Sequence, residues 1–202
     1  FDPGHDAARE TFGGKLPPEA QDEVPVYNVS WFASVMFAEW AGARLPLEPE
    51  WEYACRAGTK TRFWSGDADA DLARVGWHGD FGGGGNAQGH PHPVAQKPKN
   101  AWGLHDVHGN VWEWCADAWD SEAYAARTDG LTVDPRRLTF AVGGGLPGLA
   151  VSANYGASRV VRGGSWDYGP GGARSANRSG RGPSDADTAI GFRLLWCPSG
   201  RP

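Results

Sequence analysis

The sequence predicts an α+β domain made of two short helices, short twisted antiparallel strands and long loops. Three observations lead there. Helical apolar spacing is confined to residues 31–57, only short strand-like runs follow Gly58, and 30 Gly with 15 Pro make up more than a fifth of the 202 residues. Hydrophobic types hold 40 % of the chain, with 11 Trp and a single Met, so the loops must rest on a core of large rings. At this length one core suffices.

Residues 1–24 are polar, carry Pro17 and Pro18, and read as an irregular lead-in; the domain proper is expected over 25–197. Val24–Val29 reads as a short strand. Ser30 then offers a hydroxyl N-cap to a helix over 31–41, with Trp31, Val35, Ala38, Phe32 and Glu39 at helical spacing and Gly42 ending it. A second helix fits 48–57: Pro49 and two glutamates suit its first turn, Trp51, Ala54 and Cys55 face inward, and Gly58 stops it. Beyond it lie strand-like pieces at Arg62–Trp64, Val111–Trp114, Arg159–Arg162 and Phe192–Trp196. The glycine runs Gly82–Gly85 and Gly143–Gly145 lack the Lys-Ser/Thr and strand-to-helix context of a phosphate loop, and read as plain loop.

A net charge of −5 without any Lys/Arg run argues against a nucleic-acid partner. No apolar run approaches the roughly 20 residues that cross a bilayer, and the opening residues have no signal-peptide pattern, so the chain reads as soluble. Starting at Phe1, it reads as processed or truncated, which leaves surface display or secretion through an upstream segment open.

Longer motifs occur in a fixed order. Pro25–Trp31, Trp40–Pro46, Glu50–Gly58, Asn100–Trp114, Arg162–Trp166, Arg174–Ala176 and Gly191–Arg193 together resemble the formylglycine-generating enzyme (sulfatase-modifying factor) family across about residues 25–196. The resemblance implies a variant of the C-type lectin fold. It also implies, for the oxidase members, a copper site with two cysteines shortly after Gly-Gly-Ser, since Cu(I) favours thiolates. Here no cysteine lies between Asp167 and Arg193, and Tyr168 and Ala173 stand where thiols would be wanted, so no copper and no catalytic residue are expected. The family's disulfide lacks its second half as well: Cys55 fits one position, but Arg174–Ala176 holds no cysteine. A Cys55–Cys115 bridge and buried free thiols both stay open. The family's calcium site maps onto Asp106, Gly109, Val111 and Glu113, so a structural Ca²⁺ is an expectation of the resemblance.

Among other candidates, His78, His90, His92, His105 and His108 crowd the middle third without any zinc-site spacing, and no Gly-x-Ser-x-Gly elbow accompanies them. Tryptophans 64, 77, 102, 112, 114 and 166 read as core.

The segment 167–189 is the most informative. It lacks Lys, Gln, Glu, Met and Trp, the five residue types among its alternatives that no pyrimidine-ending codon encodes, as randomised adenines in Asn codons (AAC) would produce. Its layout resembles the variable region of proteins diversified by retroelements. On that pattern the variable, ligand-contacting positions are Asp167, Tyr168, Gly169, Gly171, Gly172, Ser179, Gly180, Arg181, Asp185, Asp187, Thr188 and Ala189, framed by Trp166, Arg174, Asn177 and Arg178. The expected function is therefore non-enzymatic binding of a protein or cell-surface ligand, with Tyr168 as anchor and the charged positions giving complementarity. The alternatives are a formylglycine-type oxidase acting on a peptide cysteine or small thiol, and a substrate-recognition domain of a larger enzyme. Oligomeric state is not legible.

Overall fold

Ser30 caps the first helix as its place ahead of the apolar spacing predicts: its hydroxyl accepts from Ala33 N at 3.2 Å, and α1 runs Trp31–Trp40. The computed structural model describes residues 23–79, 85–124 and 157–196. The lead-in through residue 22, residues 82–84, the run Gly143–Gly145 and Cys197 lie outside them. Only Trp31, Ser34 and Ala38 of α1 are buried, a narrow stripe of mostly small residues that lets the helix lie close to the sheet. Glu39 faces solvent rather than the core. The indole of Trp31 donates to Cys115 O at 2.9 Å and fixes the helix against the sheet.

Strand β1 (Ala43–Arg44) leads into α2 (Glu48–Arg56). Glu50 reaches back to accept from Leu47 N at 2.8 Å, and Arg44 grips the same carboxylate with two bonds of 2.7 Å. The helix ends one residue earlier than its spacing suggests, because Ala57 itself turns left-handed at φ 44° before Gly58 at φ 93°. A third helix, α3 (Asp69–Val75), corrects the expectation that none follows Gly58. At seven residues it shows only the Leu72–Val75 pair as an apolar signal, too little for periodicity to register, and it is held by Asp71 accepting from Ala68 N.

Among the described residues, six strands form two sheets. β1 pairs antiparallel with β6 (Leu195–Trp196), and a four-stranded sheet runs β4 (Ser179–Arg181), β3 (Arg159–Arg162), β2 (Trp112–Ala118), β5 (Ile190–Gly191). The β2–β5 pair is parallel, unlike the all-antiparallel expectation; the other pairings in this sheet are antiparallel. The expected 24–29 strand is reduced to a bridge from Tyr27 to Gly191.

Alternation along β2 and β3 divides the core. Trp112, Trp114 and Val161 pack with Trp31, Leu45, Ala189 and Ile190 on the α1 side. Cys115 and Val160 pack with Trp51, Cys55 and Val107 on the α2 side. The fully buried Arg162 ties α2 to the sheet by donating to Glu48, Glu52 and the Ser175 carbonyl. The paired carboxylates and the carbonyl offset much of the cost of taking this guanidinium out of water, although its Nε has no partner among the described residues. Gly109 makes the tightest crossing: at φ +84°, a Cβ there would lie 1.9 Å from Trp77 O.

Candidate functional site

The loops after β3 are pinned at both ends. Trp166 N donates to Asn110 O at 2.8 Å, and its indole donates to Thr188 O at 3.3 Å, so the turn at 166–168 and the turn at 187–189 meet. Tyr168 O accepts from Gly79 N, and the Tyr168 ring stands edge-on to Trp112 at 5.3 Å between centroids. Arg181 Nη2 donates to the Tyr168 hydroxyl at 3.2 Å and joins β4 to the first turn. Asp187 is anchored through its backbone, its carbonyl accepting from Asn28 N and Ile190 N, while Pro183 O receives Trp31 N. Asp185 and Asp187 each spend one carboxylate oxygen on a local amide, Gly182 N and Ala189 N respectively. Ser165 donates to Asp167.

Most of the expected variable positions are thus brought together with some exposure: Asp167, Tyr168, Gly169, Gly172, Ser179, Arg181 and Thr188 are half-buried, and Gly171, Asp185 and Asp187 are exposed. Gly171 has open space where a side chain would go and Gly169 meets only Gly79 O at 3.9 Å, so both admit larger residues. Two positions need correction. Ala189 is 3 % exposed within the α1-side core, because β2 takes its carbonyl through Trp112 N and draws it under the sheet edge. Gly180 points to the opposite face from Ser179 and Arg181, where a Cβ would come within 2.5 Å of the Trp119 ring.

In the frame, Arg178 is fastened most firmly: Nε and Nη2 donate to Glu48, Nη1 donates to Asp120 O, and the guanidinium lies over Trp119 and Tyr124. Arg174 is exposed and donates to Gly171 O; Asn177 N donates to Arg174 O. Trp119, Arg159 and Tyr124 border this region without any sequence signal, since what brings them here is pairing between distant strands.

The calcium set fares differently. The Glu113 carboxylate accepts from Trp51 Nε1 and from Arg193 Nε and Nη2, so both oxygens are committed to a cation and an indole. Asp106, at φ 56°, accepts from Ala95 N through Oδ2, while Oδ1 is buried with no partner among the described residues. Burial raises its pKa. Gly109 and Val111 lie on the intervening loop, with Gly109 N donating to Gly163 O. Arg193 thus stands where a metal would need Glu113, and the residues as arranged do not fit the four-ligand set.

Cys55 and Cys115 are free, buried thiols, which settles the alternative that a bridge left open. Burial pushes the Cys55 pKa up to about 12 and that of Cys115 well above its ordinary value, so neither supplies a thiolate. Every one of the five middle histidines meets a backbone carbonyl: Gly79, Pro91, Ala87, Lys97 and Ala173 for His78, His90, His92, His105 and His108. They tie loops together, and among the described residues no group of three His, Cys, Asp or Glu is set to hold a metal. Of the tryptophans read as core, Trp102 is instead exposed against Tyr53, with ring centroids 4.7 Å apart.

Fold and loop frame together define a C-type lectin-like domain of the formylglycine-generating type. Residues 4–197 match the family model described as FGE-sulfatase, sulfatase-modifying factor enzyme 1-like domain, and the chain belongs to that family. It is 39 % identical over 179 residues to the formylglycine-generating enzyme of Streptomyces coelicolor, covering 84 % of this chain and 51 % of that protein. It is 34 % identical over 189 residues to the inactive C-alpha-formylglycine-generating enzyme 2 of Bos taurus, covering 88 % and 51 %. The chain therefore spans about half the length of these curated relatives. Among solved structures, Treponema denticola variable protein 1 matches with a TM-score of 0.65 at 24 % identity, covering 89 % of this chain and 73 % of that one, a likeness of fold. No described helix is long and apolar enough to cross a membrane.

Proposed function

We propose that this chain is a non-enzymatic binding protein whose surface over 167–189 is diversified by a retroelement to take protein or cell-surface ligands. One observation carries the reading. Positions that the codon pattern marks as variable gather on pinned turns and one short edge strand, most with some exposure, whereas Pro183, Ala173 and Ser175 between them are buried. Side chains there can change without entering the core, which is what a repertoire on a rigid scaffold requires. The fold shared with Treponema denticola variable protein 1 supports the reading.

The test is to sequence the coding locus and its flanks from several isolates. A near-copy of codons 167–189 differing only at adenines, beside a reverse-transcriptase gene, is the expected result; an invariant segment with no such copy overturns the reading. The second reading, an oxidase on a peptide cysteine or small thiol, or a substrate-recognition domain of a larger enzyme, is favoured by the names of the sequence relatives. Copper uptake with O₂ consumption in the presence of a cysteine-containing peptide would establish it.

A further inference from the structure

The register of the edge strands sets two arginines side by side. Arg159 on β3 is the direct partner of Arg181 on β4, so both side chains leave the sheet on the same face, the one that carries Trp31 and Tyr168. Like charges directly opposite each other across two strands are ordinarily disfavoured. Neither guanidinium is paired with a carboxylate among the described residues. Asp117, which attracts Arg159 through space, instead accepts from Glu48 N on the α2 side.

Arg159 is also unusual by itself. It is 3 % exposed, its guanidinium lies 4.0 Å over the Trp31 ring, and its one described bond is a long 3.4 Å contact to Ala116 O. Its Nε and Nη2 have no hydrogen-bond partner among the described residues. A buried guanidinium that leaves two nitrogens unmet is costly unless something else meets them. Arg181 is half-buried, and its described side-chain bond is to the Tyr168 hydroxyl.

We infer that the Arg159–Arg181 pair is a carboxylate-binding site, with Arg181 and the Tyr168 hydroxyl contacting the anion and Arg159 supplying a fixed positive charge behind them. The inference rests on the binding-protein reading and deepens it: Arg159 lies outside 167–189, so the scaffold supplies a constant positive charge, and arginine at position 181 completes the site for an acidic group of a protein ligand. Planar guanidinium forks match a carboxylate in two-point geometry, and a protein ligand presents that group as an Asp or Glu side chain or as a chain terminus.

The test uses the whole chain and two probes at constant ionic strength, N-acetylglutamic acid α-amide for a side-chain carboxylate and N-acetylglycine for a terminal one. The arginine Nε–H resonances are followed by NMR. A saturable shift of Arg181 and Arg159 with either probe, weakened about ten-fold or more in Arg181→Ser, is expected, and the better probe identifies the source. Ser lies within the residues that pyrimidine-ending codons supply, and an unchanged melting temperature verifies that the variant folds. No saturable shift, or an equal one in Arg181→Ser, overturns the inference. The locus sequencing makes no use of carboxylates, so failure here and failure of the binding-protein reading are told apart.

Discussion

The Cys55 thiol lies 3.7 Å from the hydroxyl of Ser175, joining the end of α2 to the loop that precedes β4. Ser175 thus lies within Arg174–Ala176, where the family resemblance wants the second half-cystine, and it faces the Cys55 thiol. Ser175→Cys is expected to form a disulfide between Cys55 and the introduced thiol under air, closing a long loop and stabilising the fold by about 2–4 kcal/mol. A mass two units lower than the reduced variant, and a melting temperature that falls on adding reductant, check it.

Gly171 and Gly180 should respond to substitution in opposite ways. Gly171 has open space where a side chain would go, so Gly171→Ser is expected to lie within about 0.5 kcal/mol of the parent in urea unfolding. Gly180 lies under the Trp119 ring, itself covered by Arg178, and Gly180→Ser should cost about 1–3 kcal/mol. Equal stabilities for the two variants would show that the Trp119 ring gives way to a side chain at position 180.

Acid stability depends on two buried groups of opposite sign. His108 donates from Nδ1 to Ala173 O and accepts from Trp64 N through Nε2, and burial lowers its pKa from 6.5 to about 4. The unfolded chain therefore binds a proton that the native state refuses between pH 6.5 and 4, and stability falls as pH falls through that window, by about 3 kcal/mol. Burial, with Glu48 nearby, raises Asp117 from 3.8 to about 6. Its contribution runs the other way, being full below pH 3.8 and lost as pH rises through 6. His108→Gln is expected to flatten the acid limb of an unfolding free energy against pH, and Asp117→Asn to steepen it.

Calcium removal should have no effect. With Glu113 bound to Arg193 and Trp51, the expected outcome is the same melting temperature in EDTA and in millimolar CaCl₂. A ligand that binds only the native state raises the midpoint with its concentration, so a rise of several degrees in calcium would show that the ion displaces Arg193.

Local signals carried well where the physics is local. The Ser30 cap, the Pro49 start and the RVVR strand all followed from the residues themselves, because caps, first turns and strand alternation involve neighbours in the chain. Short α3 was lost because one buried pair cannot define a period. Within the segment 167–189 the codon pattern carries no information on burial. The edge of β2 hides Ala189, and the Trp119 ring covers Gly180.

The sequence by itself determined the family and the lectin-like fold, since long ordered motifs are written along the chain. Tertiary structure alone decided that Glu113 faces Arg193, that Cys55 faces Ser175 and that Arg159 stands beside Arg181. Each of these is a contact between strands or loops far apart in sequence, fixed by register and by which face of the sheet a residue takes. None of them has a local signature, because a single-residue slip in register would exchange the faces without altering one amino acid.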